Sequence, residues 1–315
     1  MPFIAEGVIP ATLVAFHQDY EIDVEASRKH LRDVAAVDGL NAITVNGHAS
    51  EIHAFTLNEQ QRLLAESLEE VGDSLPLVNG VYADGSHAAV AVAKMSTTEG
   101  ASALLVFPPN SMSMGGQLCP EMAINHFSMI ASATDLPLIL FQYPASTGLG
   151  YPFETLLRIF EAVPSVVAIK DWCNDPMLHE RHIRTFQSLP RRVNVLSTHS
   201  SWLMASLSMA PAGLLSGAGS VIADLQVELF NAMQRNDLAS ARTINDRIYP
   251  LAQAFYRAPF LDMHNRMKEC LVLLGRLEEA VVRPPLQKLE ETEISFLEEA
   301  LVDAGLLGEA RRRFG

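Results

Sequence analysis

Short apolar runs alternate with amphipathic segments over most of the chain. The apolar runs are hydrophobic at nearly every position, which is typical of strands covered on both faces in a parallel sheet. These predicted strands lie at residues 7–13, 42–46, 77–81, 103–107, 137–142, 166–169, 193–197 and 213–216. Helical periodicity predicts helices at residues 23–37, 56–71, 86–99, 121–134, 152–162, 176–189, 201–209 and 224–235.

Local signals support two of the predicted helix ends. Thr56 and Glu59 have the spacing of a capping box, in which each side chain accepts a hydrogen bond from the other residue's backbone N–H. Gly100 stands where the third helix should stop, because glycine adopts the left-handed conformation that ends many helices.

The order of the elements predicts an α/β fold. Eight strand–helix pairs within residues 1–235 match a closed (β/α)8 TIM barrel in size and strand count. An open doubly wound sheet is the competing fold, but no Gly-x-Gly-x-x-Gly follows the first strand, which argues against its dinucleotide-binding form.

The remaining residues, 236–315, show only helical periodicity. Helices are predicted at residues 237–253, 264–274 and 292–304. No low-complexity linker precedes them, so we expect a C-terminal three-helix extension packed on the barrel rather than a free domain.

Composition narrows the possible partners and compartment. The hydrophobic share of 49% allows a substantial core, and the net charge of −14 argues against nucleic acid as a partner. Three cysteines, at positions 119, 173 and 270, are far apart and form no metal-binding or disulfide pattern. No stretch reaches the roughly 18 apolar residues of a membrane span, and no secretory signal pattern is evident. We expect a cytoplasmic protein without a membrane partner.

Lys170 follows the sixth apolar run directly, so that a charged amine ends a buried strand. Two interpretations are open from the spacing alone. The lysine either caps the strand toward water, or lies in a pocket where desolvation favours a neutral, nucleophilic amine. Since chemistry in these barrels takes place where strands end, Lys170 would share one rim with His48, Phe141, Tyr143 and Ser216.

Five stretches resemble one family in the right order and at the right strand ends. They are residues 47–51 (Gly-His-Ala-Ser-Glu), 141–148 (Phe-Gln-Tyr-Pro-Ala-Ser-Thr-Gly), 169–171 (Ile-Lys-Asp), 213–216 (Gly-Leu-Leu-Ser) and 283–286 (Arg-Pro-Pro-Leu). The chain resembles the pyruvate-dependent aldolase and lyase family of dihydrodipicolinate synthase and N-acetylneuraminate lyase. The resemblance covers nearly the whole chain.

The resemblance implies a barrel with a C-terminal three-helix extension, assembled as a homotetramer. It implies that Lys170 forms a Schiff base with the ketone of pyruvate or another 2-oxo acid. The protonated imine then stabilises a C3 carbanion as an enamine, for aldol addition, C–C cleavage or loss of water. No metal or coenzyme is implied.

The chain departs from the family at the proton relay. Phe141 stands where the family has a tyrosine that relays protons. Tyr143 is a candidate substitute if the strand continues past Phe141, and a packed loop tyrosine is the alternative. In the loop after strand two, His48 and Ala49 follow Gly47 where the family has a hydroxyl-bearing residue. His48 could supply acid–base function because imidazole titrates near neutral pH, and the loop's backbone N–H groups could hold a carboxylate.

Other departures concern the second substrate. Ser146 stands about where dihydrodipicolinate synthase has an arginine, and residues 107–110 lack that enzyme's paired tyrosines. Both differences argue against lysine biosynthesis and favour a less charged acceptor, aromatic or sugar-derived. Ser216 and Gly217 are expected in the wall of the substrate pocket, with a phosphate cradle as the alternative.

His179 and His182 are three residues apart on a predicted helix. No third ligand is evident, so a solvated face is favoured over a metal site.

Two functions therefore remain in competition. The first is a Schiff-base lyase, aldolase or dehydratase. The second is a barrel that binds a 2-oxo acid without turning it over, because the relay tyrosine is replaced by Phe141. Lys170 favours the enzyme, since a mere binder has no need of a nucleophilic amine.

Overall fold

A computed structural model shows eight parallel strands in one sheet and describes residues 3–308. The strand order is β1-β8-β7-β6-β5-β4-β3-β2. Parallel bridges from Val8 to Leu40 and from Ala11 to Thr44 bring the two ends of the sheet together in a nearly closed barrel. The strands are β1 (Gly7–Pro10), β2 (Ile43–Val45), β3 (Leu77–Val81), β4 (Ala103–Val106), β5 (Leu138–Gln142), β6 (Val166–Asp171), β7 (Asn194–Ser197) and β8 (Gly213–Ser216). The predicted TIM-barrel fold is confirmed.

Each strand is followed by a helix that covers the outside of the barrel. These helices are α1 (Val24–Ala35), α2 (Leu57–Val71), α3 (Ser86–Glu99), α4 (Pro120–Ala131), α5 (Phe153–Ala162), α6 (Pro176–Phe186), α7 (Leu203–Leu207) and α8 (Gly219–Gln234). The predicted capping box is present at α2, where Thr56 accepts from the Glu59 N–H and Glu59 accepts from the Thr56 N–H. Gly100 ends α3 in the left-handed conformation, as predicted.

The largest differences from the predicted elements occur around the last strand. Helix α7 is only five residues long, and the turn before it is a 3-10 helix, Ser200–Trp202. Helix α8 begins at Gly219, earlier than the predicted residue 224, and bends at Ile222. A Cβ atom at Gly219 would lie 2.6 Å from Cβ of Pro10, so glycine allows α8 to start directly against β1.

Three further helices pack against α8 and the end of the barrel. They are α9 (Leu238–Phe255), α10 (Met263–Leu273) and α11 (Glu291–Asp303). Phe255, Leu271 and Leu297 are buried in the same apolar core as Ile9 and Leu215 of the barrel. The predicted extension therefore contacts the barrel closely, while its residues 309–315 lie outside the described part. No helix within residues 3–308 is both long enough and apolar enough to span a membrane.

Strand register brings the candidate residues together at one end of the barrel. Phe141 of β5 is the direct partner of Lys170 of β6, and Gln142 is the partner of Asp171. Because side chains alternate along a strand, Phe141 and Lys170 share the inner face of the barrel, while Asp171 lies on the outer face, toward α6.

Candidate active site

Lys170, the last residue but one of β6, carries a buried amine that has no counter-ion among the described residues. The side chain is 4% exposed, and Nζ lies 4.1 Å from the centre of the Phe141 ring. Among residues 3–308, no carboxylate lies within ion-pair distance of this amine. Burial lowers the pKa of Lys170 from 10.5 to about 7, because desolvation disfavours the charged form. A large fraction of the amine is therefore neutral, and able to attack a carbonyl, at neutral pH.

Tyr143 and His48 form a hydrogen-bonded pair beside this amine. The Tyr143 hydroxyl and His48 Nε2 are 3.1 Å apart, and the rings of Tyr143 and Phe141 have centres 4.5 Å apart. The chain thus continues the inner face past the strand end, in spite of Pro144. Burial raises the pKa of Tyr143, so that its hydroxyl keeps the proton.

The protonation state of His48 differs from the expectation. Burial first, with His264 and Lys170 adding to it, lowers the pKa of His48 well below 6.5. The ring is therefore neutral, which corrects the expectation that it titrates near neutral pH. A neutral imidazole has a hydrogen on only one nitrogen, so Nε2 either accepts the Tyr143 O–H or donates to the Tyr143 oxygen.

The loop that carries His48 is anchored from both ends. Ser50 Oγ donates to the Thr12 carbonyl at 2.7 Å. Glu51 is fully buried, pairs with Lys268 Nζ of α10, and accepts from the Arg283 backbone N–H at 3.0 Å. The loop after β2 is therefore joined to the residues that follow α10, and these contacts fix the position of His48.

The outer face of the same strand carries a buried acid with partners on α6. Asp171 Oδ2 accepts from Nδ1 of His179 and Nδ1 of His182, each at 2.8 Å, and Oδ1 accepts from the Cys173 backbone N–H at 3.0 Å. Burial would raise the pKa of Asp171, but the neighbouring His182 and the hydrogen bonds from both histidines outweigh it and hold the pKa well below its usual range. The predicted solvated face for His179 and His182 is wrong, because both rings are fully buried.

A cavity of about 160 Å³ opens at this end of the barrel. Its inner end contains Lys170 with Phe141, His48, Ala49 and Gly217. Its outer end is formed by the loops after β6 and β7, by the segment that joins α9 to α10, and by the first turns of α10. The residues there are Trp172, Asn174, Thr198, His199, Ser200, Ser201, Tyr256, Phe260, Met263 and Met267.

The chain is similar to known proteins over nearly its whole length. Residues 4–304 match the dihydrodipicolinate synthetase family. The chain belongs to this family. An uncharacterized DapA-like lyase from Halobacterium salinarum is 28% identical over 308 residues, which cover 97% of this chain and 96% of the relative. A 4-hydroxy-tetrahydrodipicolinate synthase from Methanopyrus kandleri is 26% identical over 310 residues, covering 98% and 99%. Together these findings support a lyase or aldolase.

Solved structures of dihydrodipicolinate synthetase family members share the fold. A prophage protein of this family from E. coli K12, in complex with pyruvate, has a TM-score of 0.87 and 21% identity over 96% of this chain and all of that chain. A monomeric dihydrodipicolinate synthase variant has a TM-score of 0.86 and 24% identity, covering 96% and 97%. At these identities the likeness concerns the fold.

The predicted site residues of this family member fall into two groups. Lys170, His48, Ala49, Phe141 and Gly217 line the cavity. The second group lies just behind that lining and consists of Gly47, Tyr143 and Ser216. The Ser216 hydroxyl is fully buried, 2.8 Å from Ser200 Oγ and 3.1 Å from Gln226 Nε2.

Sequence reasoning missed a group of possible metal ligands. Asp171, Cys173, His179 and His199 present ligand atoms within 4.8 Å of one another, and zinc takes such donors. Hydrogen bonds already engage these atoms: Asp171 accepts from the histidines, Cys173 Sγ donates to the Asp175 carbonyl at 3.3 Å, and His199 Nε2 accepts from the Asn174 N–H at 3.2 Å. The arrangement is that of a hydrogen-bonded cluster that fixes the end of β6.

Proposed function

We propose that this protein is a class I lyase or aldolase in which Lys170 forms a Schiff base with pyruvate or another 2-oxo acid. The observation that carries the proposal is the amine itself, which is buried, has no carboxylate partner within residues 3–308, and lies inside the cavity, with a pKa lowered to about 7. Family membership and the family structure that contains pyruvate support the same chemistry.

The reaction begins with attack of the neutral amine on the ketone carbon. Loss of water from the resulting carbinolamine gives a protonated imine, which draws electrons from the neighbouring carbon. The hydrogen-bonded pair of Tyr143 and His48 then takes a proton from C3, and an enamine forms. This enamine adds to an aldehyde, arises from C–C cleavage in the reverse direction, or expels a hydroxyl as water. Hydrolysis of the imine returns the lysine.

Proton transfer is assigned to Tyr143, with His48 as its hydrogen-bonded partner. The tyrosine occupies the inner face beside Phe141, so its hydroxyl supplies the function that the phenylalanine lacks. Backbone N–H groups of residues 47–49 are the candidates to hold the 2-oxo acid's carboxylate. Gly217 and Ser216 complete the wall on the β8 side.

The proposal retains the other expectations for this chain. It requires no metal or coenzyme, because the imine itself stabilises the carbanion. A homotetramer in the cytoplasm, with residues 1–235 as the catalytic barrel and residues 236–315 as the extension, remains part of the proposal. Gel filtration with light scattering measures the oligomeric state.

Hydrogen exchange into pyruvate separates the enzyme from the non-catalytic binder. In D2O, reversible enamine formation replaces the C3 hydrogens of pyruvate with deuterium, and the methyl signal disappears from the proton NMR spectrum. We expect exchange with the wild-type protein and none with Lys170→Ala. Binding of pyruvate without exchange, for pyruvate and for a longer 2-oxo acid alike, would favour the binder.

A further inference from the structure

The outer end of the cavity has an aromatic wall. The rings of Trp172 and Phe260 are stacked with centres 4.8 Å apart and planes inclined by 17°. Tyr256 continues the stack, with its ring centre 5.7 Å from that of Phe260 and an angle of 26°. Met263 and Met267 of α10 lie on the same lining. All three aromatic residues line the cavity, so their ring surface and the polarisable sulfur beside it favour contact with another aromatic ring.

The wall is continuous with the proposed reaction centre. Trp172 follows Lys170 and Asp171 in the chain, and its ring centre lies 5.4 Å from that of Tyr143. Because Trp172 and Lys170 line the same cavity, a molecule held at Trp172 lies near the lysine amine, with the Tyr143 ring directly behind the lining. The cavity volume of about 160 Å³ leaves room for a three-carbon acid and one small ring.

Charge in the cavity argues against an anionic second substrate. Among the described residues of the lining, Lys170 carries the only lysine or arginine side chain, and its nitrogen belongs to an uncharged enamine when the second substrate is attacked. His199 lies in the lining, but its Nε2 accepts from the Asn174 backbone N–H at 3.2 Å, so this nitrogen carries no proton and the ring is neutral. A second carboxylate would therefore be desolvated there without a cation to pair with it.

The polar groups at the outer end are neutral. Thr198, Ser200 and Ser201 present hydroxyls, and Asn174 presents an amide. Such groups hydrogen-bond the carbonyl or hydroxyl of an uncharged molecule without requiring a charge.

This inference rests on the proposed Schiff-base function. We propose that the second substrate is an uncharged aromatic aldehyde, which Trp172 and Phe260 recognise. In the cleavage direction, the substrate is the aldol product that releases such an aldehyde. C3 of the enamine forms a bond to the aldehyde carbon, and the aldehyde oxygen takes a proton from Tyr143. Water then hydrolyses the imine and replaces the water lost when it formed. The product is a 4-aryl-4-hydroxy-2-oxo acid that contains all atoms of both reactants. Because the outer end of the cavity has an aromatic wall, the proposal takes the aromatic second substrate rather than the sugar-derived one.

The test compares four aldehydes, two of which are rings of matched size. Benzaldehyde, cyclohexanecarbaldehyde, glyceraldehyde and succinic semialdehyde are each incubated with pyruvate and the full-length protein, and products are quantified by mass spectrometry. We expect the highest kcat/KM with benzaldehyde, and roughly tenfold less with its non-planar analogue, because only the planar ring stacks on Trp172.

Substitutions test whether the aromatic wall causes the preference for benzaldehyde. Trp172→Ala should reduce the ratio of kcat/KM for benzaldehyde to that for cyclohexanecarbaldehyde by roughly tenfold, mainly through KM, and Phe260→Leu by less. Phe296→Ala removes an aromatic ring of α11, outside the cavity lining, and should leave the ratio unchanged. If Trp172→Ala fails to fold, Trp172→Leu preserves the bulk and tests the stacking.

The outcomes separate this proposal from the one on which it rests. Deuterium exchange into pyruvate combined with preference for succinic semialdehyde or glyceraldehyde would overturn the aromatic substrate and leave the Schiff base standing. Exchange with no reaction for any aldehyde, or equal rates for the planar and non-planar aldehydes, would also overturn it. Absence of exchange would instead contradict formation of the enamine, on which both proposals depend.

Discussion

Lys170 and Asp171 are neighbours in the chain with opposite surroundings. Both are buried at the end of β6, but Lys170 faces inward, against the ring of Phe141, and has no counter-ion among the described residues. Asp171 faces outward and accepts three hydrogen bonds, two of them from His179 and His182. Alternation along a strand thus places an unpaired base and a fully bonded acid one residue apart.

The difference separates reactivity from stability. Burial without a partner destabilises the charged amine and makes it a nucleophile. Burial with hydrogen bonds keeps the carboxylate ionised and holds the strand in place. The Asp171 cluster therefore fixes the strand end, while Lys170 performs the proposed chemistry at a cost in stability.

Substitution of the lysine should stabilise the protein. The pKa shift from 10.5 to about 7 corresponds to a penalty on the order of 5 kcal/mol, at about 1.4 kcal/mol per pKa unit. The unfolded chain binds more protons between these values, so the penalty is complete below pH 7 and disappears as the pH rises toward 10.5. Urea unfolding should show Lys170→Met more stable than wild type at pH 6, with the difference shrinking by pH 10.

The exposed Lys94 of α3 provides the matched control. Lys94→Met should change the free energy of unfolding by less than about 0.5 kcal/mol at either pH. An equal stability of Lys170→Met and wild type at pH 6 would show that the amine is not desolvated.

Loss of the tyrosine hydroxyl should affect catalysis only. We expect Tyr143→Phe to lower the rate of deuterium exchange into pyruvate by about 10²- to 10⁴-fold, because general acid–base groups contribute factors of this size. The control is Tyr249→Phe, on the exposed surface of α9. An unaltered exchange rate in Tyr143→Phe would remove this residue from the mechanism and leave a packed tyrosine as its interpretation.

Substitution of the acid should have the opposite sign to that of the lysine. Asp171→Asn replaces an acceptor of two imidazole N–H groups with an amide that must donate on one side, so we expect a loss on the order of 3 kcal/mol in unfolding free energy. The wild-type contribution is lost as the pH falls through the depressed pKa of Asp171.

A surface residue of the same helix separates this cluster from general effects. Glu180 of α6 pairs with Arg184 at the exposed surface, and Glu180→Gln should cost less than about 1 kcal/mol. If Asp171→Asn were as mild as Glu180→Gln, the buried cluster would not be what holds β6.

The side chains on the inner face of the barrel could be predicted from the sequence more fully than those on the outer face of β6. A run of apolar residues ending in Lys170, placed sixth of eight, was enough to locate the amine. Tyr143 and His48 form a hydrogen bond although they are far apart in sequence. The only sequence signal for this contact was that both residues follow the ends of predicted strands. The pKa of His48 is lowered first by burial and then by His264 and Lys170, and sequence spacing reveals none of these.

The outer face was misread although a signal was present. His179, His182, Ile183 and Phe186 recur at spacings of three and four residues, so the histidines lie on the apolar stripe of α6. Their partner, Asp171, lies on the preceding strand. Histidine suits either water or a buried acid, and only the fold decides between them.

The central claim is that the Lys170 amine forms an imine with a 2-oxo acid. The most direct measurement is borohydride reduction in the presence of pyruvate, followed by intact-mass and peptide analysis. The account predicts one stable adduct per chain, located on Lys170 and absent from Lys170→Ala. An adduct on another lysine, or no adduct with any of several 2-oxo acids, would contradict it.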